Sequence, residues 1–231
     1  LPEGATIQSL EQFQVAPNRS RGHHVFVETS SLADYYTEHS APGTMVEANY
    51  KGGKIKVTLD GDAPAAPGFK DHTATFQAEV APKLAAWLAI SGKPLGQVAF
   101  GEFLEDRAVD VVQPDAATIM EMVMTFDATK KVSFKQSTRL SDGQRQFQYV
   151  EENETRGAVT LPERITIRTP IYRGQEAQDV LFLLRYRIED GSLRFTVSMH
   201  NKDEVMQSAF DRCVDAFRAE ARTDATIYVT G

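Results

Sequence analysis

The chain has 231 residues, enough for one large domain or two small ones and for a core that needs neither disulfides nor metals. It holds 25 Lys and Arg against 32 Asp and Glu, a net charge of −7, with 42% hydrophobic and 25% charged residues. That balance excludes a disordered or collagen-like chain and argues against a dedicated nucleic-acid binder, and no stretch approaches the ~18 apolar residues that span a bilayer.

The single cysteine, Cys213, rules out an intramolecular disulfide and a four-Cys zinc site, and it fits a reducing compartment. Leu1-Pro2-Glu3-Gly4 has no basic start and no apolar run, so no signal peptide is read there. Leu1 is not an initiator Met, and residues upstream are expected to have been removed.

In chain order, Val25-Phe26-Val27 reads as a short strand, followed by a helix over Leu32 to Glu38 capped by Ser30 or Ser31. Thr44 to Tyr50 and Lys54 to Leu59 form a hairpin around Lys51-Gly52-Gly53. The Ala/Pro stretch from Ala63 to Gly68 reads as an exposed loop. From Asp71 to Val80, Thr73, Thr75, Gln77 and Glu79 alternate against Ala74, Phe76, Ala78 and Val80, a strand. Pro82 suits a first helical turn, where its missing N–H costs nothing, and Leu84, Trp87 and Leu88 then share an apolar face. Further helices are predicted over about Leu95 to Arg107 and Asp115 to Ala128. The latter holds Met120, Met122 and Met124 beside Ile119, Val123 and Phe126, apolar nearly all round and so expected to be buried on more than one side.

Val132 to Thr138 and Gln144 to Val150 flank Ser141-Asp142-Gly143, a hairpin signal. Ile165, Ile167, Thr169 and Ile171 alternate with Arg164, Thr166, Arg168 and Pro170. Val180, Phe182, Leu184, Tyr186 and Ile188 lie on one strand face, Asp190-Gly191 turns the chain, and Leu193, Phe195, Val197 and Met199 continue that face. Asn201 and Glu204 suit the start of a final helix carrying Met206, Phe210, Cys213, Val214, Phe217 and Ala221 at three-and-four spacing. Ala225 to Thr230 closes as a strand. The sum is an α+β fold with a largely antiparallel sheet and about five helices, the last one long and amphipathic. One domain over residues 1–231 is expected, with a composition shift near residue 129 as a candidate subdivision.

No arrangement of nucleophile and base is evident, and no Gly-x-Ser-x-Gly elbow or phosphate loop occurs. Among the five histidines, no pair has the i,i+4 spacing of a helical metal site. Asp71-His72 before a strand could orient a ligand, but a solvated His at a loop–strand junction is the commoner case. Glu102, Glu105 and Asp106 share a helix side and could hold Mg²⁺, though a solvated acidic face explains them as well. No metal, cofactor or catalytic residue is therefore assigned. Arg164 and Arg168 lie on the polar face of one strand and Arg185 and Arg187 share a face of another, with Arg173 and Arg194 near. Such a face is a candidate phosphate-binding face, or else a salt-bridged solvent face or subunit contact paired with Glu163, Glu176 and Glu189; the net charge of −7 favours the latter readings over phosphate binding.

Ala16-Pro17-Asn18-Arg19-Ser20-Arg21-Gly22, Pro67-Gly68-Phe69-Lys70-Asp71-His72-Thr73-Ala74-Thr75, Ile90-Ser91-Gly92-Lys93-Pro94-Leu95 and Phe103-Leu104-Glu105-Asp106, in that order and spacing, resemble the YfdQ-like family of phage and prophage proteins, a family without an assigned function. None of these segments is a catalytic signature; Arg19, Arg21, Asp71 and His72 are motif positions of unknown role. The resemblance implies a phage protein acting in the host cytoplasm, often encoded near recombination functions.

The expectation is a non-enzymatic phage accessory protein that self-assembles into a homo-oligomer, as a ring or shell, or binds a phage or host protein. No membrane association is expected. A nucleic-acid accessory factor using the arginine face, and a metal-dependent enzyme using Asp71, His72 and the acidic helix, are the alternatives.

Overall fold

The computed structural model describes residues 9–63, 66–139, 145–156, 161–189, 192–222 and 225–231. Its elements run β1 (Gly22–Phe26), α1 (Thr29–His39), β2 (Met45–Asn49), β3 (Lys54–Thr58), β4 (Asp62–Ala63), β5 (Ala66–Pro67), β6 (His72–Gln77), α2 (Pro82–Ile90), β7 (Leu95–Gly96), α3 (Gln97–Asp106), β8 (Val111–Gln113) and α4 (Ala116–Thr125). They continue with β9 (Asp127–Arg139), β10 (Arg145–Arg156), β11 (Arg164–Thr169), β12 (Gln178–Glu189), β13 (Ser192–Met199), α5 (Lys202–Ala221) and β14 (Ile227–Thr230). The fold is α+β. The chain forms two compact units, one of residues 1–79 and 207–231, the other of residues 80–206. The composition shift near residue 129 lies within the second unit.

The first unit is a five-stranded sheet in the order β1-β6-β3-β2-β14. The β2–β3 and β3–β6 pairs are antiparallel, whereas the outer strands β1 and β14 pair parallel with β6 and β2. Register lines Val46, Val57 and Ala74 across the sheet, and beside them Ala48, Ile55 and Phe76. All six are buried, as are Leu32 and Ala33 of α1 and Phe210, Cys213 and Phe217 of α5. The Tyr36 ring of α1 meets Phe217 edge-on at 5.7 Å.

The second unit centres on an antiparallel sheet in the order β7-β13-β12-β11-β8. One face buries Ile165, Ile167, Val180, Phe182, Leu184, Phe195 and Val197. Against it pack Trp87 of α2, 5.2 Å from Phe182, and Phe100 of α3, stacked on Phe195 at 5.5 Å. Phe126, just beyond α4, meets Tyr186 at 4.7 Å. The Gln97 side-chain amide, at the start of α3, donates to the carbonyls of Val123 (2.7 Å) and Phe126 (3.0 Å), satisfying groups that the end of α4 leaves open. β9 and β10 form a separate antiparallel ribbon with a register shift between Gln148 and Tyr149.

Several expectations need correction. α1 starts at Thr29 after Glu28, with no side-chain cap from Ser30 or Ser31. Leu95 and Gly96 pair with β13, so α3 begins at Gln97 rather than Leu95. β6 ends at Gln77, and Val80 makes only an isolated bridge with Tyr172. α4 buries Ile119 and Val123 but leaves Met124 49% exposed, so it presents one buried stripe instead of being enclosed all round. The expected start of the final helix at Asn201 is found, α5 beginning at the next residue, but Asn201 adopts a left-handed φ of 47° and its side-chain amide donates to the Glu204 carboxylate at 3.1 Å. The turns predicted at Ser141-Asp142-Gly143 and Asp190-Gly191 lie outside the described residues.

Candidate functional site

The first unit brings together two segments that stand some 50 residues apart in sequence, the 16–22 and 67–75 stretches. β1 and β6 pair in parallel from Gly22 opposite His72, and the Gly22 N–H donates to the Asp71 carbonyl at 2.9 Å. The Arg19 guanidinium forks onto both Asp71 carboxylate oxygens and lies over the Phe69 ring, 4.4 Å from its centroid. Arg21 pairs with Glu11 at 2.8 Å. Arg19, Arg21, Asp71 and His72 therefore share one end of the sheet, although Arg21 is tied to a different carboxylate.

Asp60 is the hub beneath this pair. Its carboxylate accepts the backbone N–H groups of Asp71 (3.2 Å) and His72 (2.9 Å) and lies 3.5 Å from Arg19. Gly68 makes the close approach feasible: a Cβ there would sit 1.9 Å from the Asp60 carbonyl oxygen, and the Gly68 N–H donates to the Gly61 carbonyl at 2.8 Å. Arg19 holds the Asp71 carboxyl well down, at about 2, chiefly by donating to it, and Asp71 in turn pushes the Arg19 guanidinium up.

His72 is not the solvated junction residue expected. It is 6% exposed, because residues 72, 74 and 76 alternate onto the helix-facing side of β6 together with Ala74 and Phe76. Its Nε2 shares a 2.8 Å hydrogen bond with the Tyr35 hydroxyl of α1. Three imidazoles gather around that phenol: ring centroids lie 4.9 Å from Tyr35 for His24, 4.3 Å for His39 and 5.9 Å for His72. Tyr35 and His39 are one helical turn apart, and His24 faces them from β1. Burial first, then His39, lowers the pKa of His72. Burial and the Glu38 charge push the Tyr35 phenol up.

As chemistry, this is a charge-assisted clamp beside an imidazole–phenol cluster. Among the described residues, no group of three or more His, Cys, Asp or Glu is arranged to hold a metal ion. Asp71 and His72 belong to the first unit, and Glu102, Glu105 and Asp106 of α3 to the second.

The second unit carries the arginines. Ile165 and Ile167 point into the core, so Arg164, Thr166 and Arg168 face the other way. Arg164 stands opposite Leu183, which places Arg185 and Arg187, two and four residues on, on that same face, and Arg187 stands directly opposite Arg194. All four arginines predicted as a face thus share one, and Arg194 joins them. Arg168 pairs with Asp179 at 3.3 Å and Arg187 with Glu189 at 2.9 Å; both arginines are more than half exposed. Beside Arg164 lies a hollow of about 550 Å³, whose walls include Pro114, Pro162 and Leu181 and also Gln113 and the acidic Glu163.

Tyr35, Asp60, His24 and His39 escaped the sequence reading. The parity of His72 with Ala74 and Phe76 was a usable signal for its burial; the meeting of α1 with β1 and β6 left none.

No helix among the described residues is long and apolar enough to cross a membrane. No curated protein and no solved structure matches the chain. A family described as "Uncharacterized conserved protein (DUF2303)" matches residues 1–229, and the chain belongs to that family.

Proposed function

We propose that the protein is a non-catalytic assembly protein that builds a homo-oligomer by extending the sheet of its first unit from copy to copy. One observation carries this reading. The two outer strands, β1 and β14, run in the same direction, neither has an outer partner among the described residues, and neither contains Lys, Asp, Glu or Pro. Those residues are the usual means of blunting an exposed edge. Instead Val25 on β1 is 71% exposed, and Tyr228 and Val229 on β14 are 52% and 72% exposed. Pairing β14 of one copy with β1 of the next is a parallel, head-to-tail contact, which closes into a ring or runs on as a filament. The resemblance to phage and prophage proteins supports a phage-encoded accessory role in the host cytoplasm.

The test is light scattering coupled to size exclusion at micromolar concentration. The unmodified protein is expected well above the mass of one chain. Val25→Lys with Val229→Lys, both at exposed positions where substitution costs little stability, should bring it down to smaller species with an unchanged circular dichroism spectrum. A strictly monomeric unmodified protein overturns the reading, as does an oligomer indifferent to both lysines.

A further inference from the structure

We infer that the arginine-bearing face of the second unit's sheet binds single-stranded nucleic acid through its phosphates. This goes beyond self-assembly and uses a different unit of the chain. The face lies opposite the one that α2, α3 and Phe126 cover, and Arg164, Arg168, Arg185 and Arg187 are all exposed on it.

Three observations carry the inference. The first is the local charge. Residues 164–199 contain six arginines, no lysine and four carboxylates, an excess of positive charge inside an acidic chain. The acidity lies mainly elsewhere: residues 80–206 hold 16 basic and 18 acidic side chains, against 9 and 14 in the first unit. The repulsion that a net charge of −7 sets against a polyanion is therefore weaker from the second unit's charges than from the first unit's.

The second is the pairing of like charges. Arg187 and Arg194 stand directly opposite on neighbouring antiparallel strands, an arrangement that is unfavourable unless an anion bridges it. Glu189 reaches Arg187, but among the described residues no carboxylate lies within ion-pair distance of Arg164, Arg185 or Arg194. Gly96 makes room for this grouping, since a Cβ there would come within 3.3 Å of Arg194 Nη1. Arg185 and Arg187 sit two residues apart on β12, about 7 Å. Guanidinium forks at that spacing engage successive phosphates bidentately, which lysines would not do.

The third is shape. The hollow of about 550 Å³ beside Arg164 has Pro114, Pro162 and Leu181 in its walls to pack against an unstacked base, and Gln113 and Glu163 there as polar groups that can meet its hydrogen-bonding edge. A duplex keeps its bases stacked and has no use for it.

The experiment measures fluorescence anisotropy of a labelled oligo(dT) across a salt series, with a duplex of equal length and polyglutamate as competitors. Four engaged arginines predict a slope of log affinity against log salt of roughly −3 for a single strand. Replacing Arg164, Arg185, Arg187 and Arg194 with Gln should flatten the slope and reduce low-salt affinity at least tenfold. Light scattering and circular dichroism should stay unchanged, and Arg185→Lys should retain the slope while losing affinity. Absent binding at low salt, binding unaffected by the glutamines, or a duplex that binds as well as the single strand overturns the inference. So does equal competition by polyglutamate, which would assign the face to an acidic protein segment, or dissociation of the oligomer on substitution, which would make it a subunit contact.

Discussion

The Arg19 guanidinium meets both oxygens of the Asp71 carboxylate across 52 residues of chain, and Asp60 organises the backbone beneath them. The arrangement ties the segment before β1 to the start of β6. Because the Asp71 carboxyl is held at about 2, below its ordinary value near 4, its contribution to stability is fully present above pH 4. It is lost as pH falls through 2. Asp71→Asn should therefore shrink the loss of stability between pH 4 and pH 2, measured by urea unfolding at each pH. In Arg19→Ala the Asp71 resonance should titrate closer to 4 in carboxyl-detected NMR. An Asp71 that already titrates near 4 in the unmodified protein refutes this account of the clamp.

His72 titrates with the opposite consequence for chemistry but the same sign for stability. Its imidazole faces the Tyr35 hydroxyl, His39 and His24, with Asp60 and Asp71 behind it, and its pKa is lowered. The unfolded chain takes up this proton near pH 6.5, whereas the folded chain resists it. Stability from this group is full above 6.5 and declines as pH falls below it. Unfolding midpoints at pH 7.5 and 5.5 should differ less in His72→Gln than in the unmodified protein. His72→Ala should also cost stability at pH 7.5, because it strands the half-buried Tyr35 hydroxyl; about 1–3 kcal/mol is expected. Equal pH sensitivity in both proteins counts against the assignment.

The elements written by a single local rule were legible in the sequence. The β12–β13 alternation and the Pro82 start of α2 are both found; the helix read over about Asp115 to Ala128 is found as α4, shorter at its end because residues from Asp127 onward join β9. What was lost depended on partners distant in sequence. Leu95 and Gly96 read as helix because nothing local shows that Phe195 and Arg194 will pair with them. The site divides in the same way. The arginine face follows from strand parity alone, whereas the Tyr35–His72 contact needs α1 laid across two strands joined in parallel, and sequence spacing carries no trace of that.

Tyr50, at the end of the β2–β3 hairpin, donates its hydroxyl to Asp211 of α5 at 2.6 Å and sets its ring edge-on to Phe210 at 5.0 Å. Donation to Asp211, then burial, pushes the phenol up to about 12. The folded state thus keeps a proton that the unfolded chain releases near pH 10, and stability from this group falls as pH rises from 10 to 12. Ultraviolet titration should find one tyrosine ionising last, and Tyr50→Phe should remove it at a cost of about 1 kcal/mol. If Tyr50→Phe leaves the late-ionising tyrosine in place, the hydrogen bond to Asp211 is not what holds its proton.

In the second unit, Asp110 is 1% exposed, accepts from Trp87 Nε1 at 3.4 Å and pairs with Lys83 Nζ at 3.1 Å. Removing one partner of a buried pair leaves the other charge uncompensated, at about 3–5 kcal/mol where both are enclosed. Lys83 is about half exposed, so water takes over part of its role, and Lys83→Met should cost less, about 1–2 kcal/mol. Asp110→Ala withdraws the acceptor of the fully buried indole N–H as well and should cost about 2–3 kcal/mol. Asp110→Asn keeps an acceptor for Trp87 and should fall between the unmodified protein and Asp110→Ala. Urea unfolding followed by the fluorescence of Trp87, the sole tryptophan, measures all three. The double variant Asp110→Asn with Lys83→Met should be more stable than the sum of the single costs predicts, because no buried charge remains. Strict additivity would show that Lys83 and Asp110 do not interact, and that Asp110 acts only through the indole.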